Sequence, residues 1–136
     1  MRRVFISYRF GDRQIAHAVN GLFQKHGGRL PGSPVRVEDN LDKFDDTTIR
    51  SRISAEIERC DSALFLIGDD NHNSQWIMYE AETTIRIGLP RFVMRIPGKK
   101  GQSPPQLSSA IIYEWNDPKL ATAMAREFQN RGDSRV

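Results

Sequence analysis

The sequence predicts an α/β fold in which a parallel sheet of five strands is covered by helices on both faces. Three observations lead there. Short apolar, β-branched segments alternate along the chain with segments of helical periodicity. The strongest strand signal, Ser62 to Ile67, is continuously apolar rather than alternating, as a strand buried on both faces is. The chain has 136 residues, enough for one domain with a substantial core.

Taken in order, Val4 to Tyr8 is an apolar run that reads as the first buried strand. It stops at Arg9-Phe10-Gly11-Asp12, where Asp12 is suited to cap a helix carrying Ile15, Ala18, Val19, Leu22 and Phe23 on one stripe. Gly27-Gly28 ends that helix, and Arg29 to Pro34 reads as a loop. Val35 to Asp39 alternates as a more exposed second strand. After a charged loop holding Leu41 and Phe44, Asp46 or Thr47 would cap a helix with Ile49, Ile53 and Ile57 aligned.

Ser62 to Ile67 is the third, central strand. A polar loop, Gly68 to Asn73, leads to a helix capped by Asn73 or Ser74, with Ile77, Ala81, Thr84 and Ile85 as its inner face and Gly88 and Pro90 at its end. Arg91 to Ile96 is a fourth strand. Pro97 to Ser109, rich in Gly, Pro, Ser and Lys, reads as a flexible surface loop. Ala110 to Trp115 is a fifth strand, and Asp117-Pro118 starts a last helix through Phe128. The expected organisation is one domain over residues 1–130 with a frayed tail at 131–136.

Composition narrows the classes. The chain is 38% hydrophobic and 27% charged, as folded soluble domains are. No apolar run approaches the roughly 20 residues of a membrane helix, and the N-terminus is too short in apolar residues for a secretory signal. One cysteine, Cys60, excludes an internal disulfide and suits a reducing cytoplasm; at the end of a helical stripe it reads as a small core residue. A net charge of +3 permits a phosphate-bearing ligand, but no aromatic and basic ladder marks a nucleic-acid surface.

In open parallel sheets, ligands bind beyond the carboxyl ends of the strands where strand order reverses. In the flavodoxin-like order 2-1-3-4-5, that point lies between the first and third strands. Tyr8, Arg9 and Phe10 leave the first strand there, Asp39 leaves the second, and the helix bearing Trp76 and Glu80 starts from the third strand's exit loop. Trp76 and Glu80 are four apart and share a helix face. An aromatic wall beside a carboxylate suits a cationic ring or a sugar. One glycine and no hydroxyl after the first strand argue against a flavin phosphate loop. The lack of an acidic pair there argues against a phosphoacceptor, and no His/Cys cluster suits zinc; His72 reads as a surface residue.

Three stretches in register carry a family resemblance. Arg3-Val4-Phe5-Ile6-Ser7-Tyr8-Arg9 resembles the opening strand of Toll/interleukin-1 receptor (TIR) domains. Phe44 to Gly68 resembles their second helix and third strand, and Ser74-x-Trp76-x-x-x-Glu80 their third-helix motif. The likeness covers about residues 2–97. Ile77 stands where the family often has cysteine, the receptor loop's Arg-Asp and Pro-Gly pattern is missing after Asp39, and Gly28 to Pro34 is a long insertion. These departures favour the stand-alone bacterial branch, including the Thoeris type of anti-phage defence.

The resemblance implies a flavodoxin-like three-layer sandwich and a cytoplasmic enzyme with NAD⁺ as substrate and no other cofactor. The enzyme would cleave the nicotinamide–ribose bond to give linear or cyclic ADP-ribose. It implies Glu80 as the catalytic carboxylate, with Tyr8, Arg9, Phe10, Asp39 and Trp76 as substrate-binding residues. It also implies self-association and an effector protein that responds to the product, with no nucleic-acid or membrane partner. Two other classes remain open: a non-catalytic TIR interaction module, and a deoxyribosyltransferase-like enzyme using a glutamate on a similar fold.

Overall fold

The computed structural model describes residues 1–37, 44–69 and 74–133. Five strands form one parallel sheet: β1 (Arg3–Ser7), β2 (Ser33–Val35), β3 (Ser62–Ile67), β4 (Arg91–Arg95) and β5 (Ile112–Tyr113). The order is β2-β1-β3-β4-β5, so β1 and β3 meet where the winding reverses. Register places Val4 opposite Ser62 and Ser7 opposite Phe65. Among the described residues, four α-helices flank the sheet: α1 (Arg13–Ala18), α2 (Asp46–Glu58), α3 (Gln75–Arg86) and α4 (Pro118–Asp133).

Strand alternation sorts the core into two layers. Val4 and Ile6 of β1 join Leu64, Leu66, Val19, Phe23, Leu120 and Met124 on one face. Phe5 joins Ala63, Phe65 and Ile67 with Ile49, Ile53, Ile57, Ile77 and Ala81 on the other. All six residues of β3 are buried, as its unbroken apolar run requires. Each fully buried Ile or Phe contributes roughly 1.5–3 kcal/mol relative to exposure.

Several boundaries differ from the sequence expectation, each for a local reason. The first helix is only six residues long and continues as 3₁₀ turns at Val19–Leu22 and Gln24–His26, because Asn20-Gly21 interrupts good helix formers. Asp12 accepts no capping hydrogen bond, and Ala16 is buried while Ala18 is exposed. β2 begins at Ser33, within the expected loop; Pro34 is tolerated because this is an edge strand. Asp45, one residue before the expected caps, accepts from the Thr48 amide at 2.7 Å and starts α2.

α3 ends where Gly88 adopts φ +73, a conformation that favours glycine. Its Ile85 is exposed and does not join the inner face. Eight residues beyond Ile77, it is rotated by about 80° from it, whereas Thr84 returns to within about 20°. β5 shrinks to two residues, and α4 runs through Asp133, past the expected start of a tail at 131. Among the described residues, no helix is long and apolar enough to cross a membrane.

Candidate active site

The carboxyl ends of β1 and β3, together with the start of α3, define the switch-point crevice. Ser74 begins α3 by accepting the Ile77 amide on its hydroxyl at 3.3 Å. From that start the helical repeat turns Ile77, Glu80, Ala81, Thr83 and Thr84 inward. Glu80 therefore projects from the packed face, where only 8% of the residue stays accessible.

Its surroundings are unusual for an acid. Ser7, the last residue of β1, shares the Phe5 face of the strand by alternation and is 1% exposed. Among the described residues, neither Ser7 Oγ nor Glu80 Oε2 makes a hydrogen bond of good geometry, although the two side chains are neighbours. Burial pushes the Glu80 acid up from an ordinary 4.5 to about 8, with the Ser7 hydroxyl pulling weakly the other way. Among the described residues, no ionic partner contributes to that balance. Burial thus favours the protonated form of this carboxyl toward neutral pH. Keeping such a group is costly, which marks it as a functional candidate. The neighbouring Thr83 and Thr84 hydroxyls are spent on the Tyr79 and Ala81 carbonyls of their own helix.

Trp76, one turn before Glu80, is half-buried against the Phe5 layer. Its ring meets Tyr79 edge-on, with centroids 6.4 Å apart and planes at 90°. The Tyr79 hydroxyl lies 2.7 Å from Ser54 Oγ on α2, and the Arg50 guanidinium stands 5.5 Å from the Tyr79 ring centre. This aromatic pair is thus anchored to α2. Tyr79 and Ser7 were not singled out from sequence. Tyr79 could have been found, since it lies three residues from Trp76 on the same helix.

The structure does not bring every expected residue to Glu80. Tyr8, one residue past Ser7, packs on the opposite face of the sheet and donates to the Val37 carbonyl at 3.2 Å. The two-residue period of a strand makes this separation unavoidable. Arg9 is exposed at the carboxyl edge, and Phe10 opens a 3₁₀ turn over Phe10–Asp12. Asp39 and His72 lie outside the described residues.

The expected flexible loop after β4 is fastened at its start. Arg95 Nη1 donates to the Gly101 carbonyl at 2.8 Å and to the Lys99 carbonyl at 3.3 Å. Asp69, leaving β3, accepts from the Lys100 amide at 3.0 Å and lies 3.5 Å from Lys99 Nζ. That hydrogen bond and the lysine charges hold the Asp69 carboxyl below its ordinary range. Among the described residues, no group of three or more His, Cys, Asp or Glu side chains could hold a metal ion.

A parallel 2-1-3-4-5 sandwich with a buried glutamate on its third helix has the form of a TIR-like domain. The chain belongs to the family described as Thoeris protein ThsB, TIR-like domain, which matches residues 5–101. A search of curated proteins found no match. Among solved structures, the TIR domain of the Toll-related receptor TRR-2 from the lower metazoan Hydra magnipapillata is similar at 16% identity and TM-score 0.54. That match covers 96% of this chain and 98% of the other. A 2-deoxyribosyltransferase from Leishmania mexicana is similar at 12% identity and TM-score 0.58, covering 90% and 95%. At such identities these likenesses are likenesses of fold.

Proposed function

We propose that this protein cleaves NAD⁺ at the nicotinamide–ribose bond, with Glu80 as the catalytic carboxylate. The observation that carries the reading is the Glu80 carboxyl, buried with an unpartnered oxygen at the switch point of a TIR-family domain. Nicotinamide in NAD⁺ is already cationic, so it departs without a general acid. The second carboxyl that ordinary glycosidases require is dispensable. As the C1′–N bond breaks, its electron pair neutralises the departing ring and positive charge develops on the ribose. An ionised Glu80 opposes that charge at close range in a poorly hydrated site.

Burial favours the protonated form of the resting acid toward neutral pH, and an incoming pyridinium cation favours its ionised form. Substrate entry would release the Glu80 proton to solvent and ready the carboxylate. Water adding to C1′ and losing a proton then gives ADP-ribose; an adenine nitrogen adding instead gives a cyclic product.

In this reading Trp76 and Phe10 wall the nicotinamide and Arg9 meets the pyrophosphate. Tyr8 supports the rim through its hydrogen bond to the Val37 carbonyl, and Asp39 is a further substrate-binding residue of this reading. The family membership supports a role for the product as a signal to an effector protein in the cytoplasm during anti-phage defence, with self-association of the TIR-like domain favouring activity.

The test is mass spectrometry of products after incubation with NAD⁺ at high protein concentration, alongside Glu80→Gln. Nicotinamide and ADP-ribose from the parent but not the variant are expected; equal turnover by both removes Glu80 from catalysis. The likeness to a deoxyribosyltransferase gives a second reading, in which a nucleoside is the substrate. A panel of deoxynucleosides beside NAD⁺ separates the two. Assembly without nicotinamide release under any condition would leave an interaction module.

A further inference from the structure

The two buried oxygens at the crevice point to a second residue of the same site. Ser7 Oγ ends β1 on the face that looks toward α3, and Glu80 Oε2 comes inward from α3. Both lie in the same layer of the molecule, and among the described residues neither makes a hydrogen bond of good geometry. Unsatisfied polar atoms of this kind are rare in folded interiors and are unfavourable unless a partner arrives.

Resting on the reading above, we propose that Ser7 is the positioning residue for Glu80. Its hydroxyl donates to the carboxylate when the acid ionises and holds it oriented toward the ribose. The hydroxyl is near enough to ease that ionisation even in the resting arrangement. Several charged groups on elements packed against α3 are engaged elsewhere, Arg52 of α2 over the Phe44 ring among them. Arg50 on α2 covers the Tyr79 ring, Glu56 on α2 pairs with Arg3, and Arg91 on β4 donates to the Thr84 and Leu89 carbonyls. On α3 itself, Glu82 accepts from Gln106. Among the described residues, the Ser7 hydroxyl is thus a group placed to answer a negative charge on Glu80.

The test titrates Glu80 directly in the full chain without substrate. Carbon-13 NMR of glutamate-labelled protein reports the carboxyl, and the Glu80 signal is identified by its absence in Glu80→Gln. Loss of one hydrogen bond to a charged group should make Glu80 on the order of tenfold weaker as an acid in Ser7→Ala. Ser7→Thr, which keeps the hydroxyl, should restore the parent midpoint. Ser7→Cys, close in volume but a poorer donor, should fall between and serves if the alanine variant does not fold. Unchanged midpoints in Ser7→Ala and Ser7→Cys, or a threonine variant that titrates with the alanine one, would overturn the proposal.

The kinetic arm expects a lower kcat in Ser7→Ala, little change in KM for NAD⁺, and an acid limb of the kcat profile moved to higher pH. A general loss of activity at unchanged pH profile counts against positioning. If the parent protein cleaves no NAD⁺, the proposed function fails while the titration still decides the pairing of Ser7 with Glu80.

Discussion

Replacing Glu80 by glutamine should make the protein more stable at the pH where the parent works, while stopping its chemistry. A carboxyl whose pKa is raised on folding stabilises the native state fully only below its unfolded value. That contribution is lost as pH climbs through the folded one. Here the window runs from 4.5 to about 8. At 1.36 kcal/mol per pH unit, ionising Glu80 in place costs about 5 kcal/mol once pH exceeds 8, and about 3 kcal/mol is already felt at neutral pH.

Glutamine keeps the shape and has no proton to lose. At about pH 8 the variant should therefore melt on the order of 10 °C above the parent. Near pH 5 the difference should shrink to within about 1 kcal/mol. Thermal unfolding by circular dichroism, repeated in urea across that pH range, measures this slope, and nicotinamide release follows activity in the same samples. Parallel stability curves for parent and variant would refute the burial argument, as would a glutamine variant less stable at the alkaline end.

Other expectations follow from packing. A methyl group at Gly101 would collide with the Gly68 carbonyl oxygen and lie 2.8 Å from the Asp69 carbonyl. Gly101→Ala should therefore destabilise by roughly 1–3 kcal/mol and loosen the Lys99–Asp69 contact, which hydrogen exchange at the Lys100 amide reports. Ile53 is 1% exposed in the layer between α2 and the sheet, so Ile53→Ala should cost about 2–5 kcal/mol in urea unfolding. Burial pushes the Cys60 thiol up to about 11, and its Sγ donates to the Glu56 carbonyl at 3.2 Å. Cys60 should resist alkylation near pH 8 in the native protein and react promptly once unfolded.

What could be read in advance follows from how each signal arises. The unbroken apolar run of β3 and the four-residue spacing of Ile49, Ile53 and Ile57 are strong because burial alone dictates them. The start of β2 at Ser33 and the breakup of the first helix near Gly21 were hidden, since tertiary placement overrides local preference there. At the site, the helical repeat pointed to Glu80 and Trp76. Ser7 passed unnoticed within a strand read as one apolar block, although strict alternation sets it beside Phe5 and sends Tyr8 to the far face. The anchored start of the loop after β4 was illegible because its ties run from Arg95 to backbone carbonyls, which composition does not record.

The margins of the sheet bear on how copies of this domain can meet. One outer strand has three residues with a proline in the middle, and the other has two. Among the described residues, neither offers a long run of free amides and carbonyls for backbone pairing with a neighbouring chain. Any filament or dimer it enters must be stitched by side chains on helices and loops. Infrared spectra should then show no growth in strand signal on assembly, and charge substitutions on those helices, rather than backbone-blocking ones at the margins, should dissolve it.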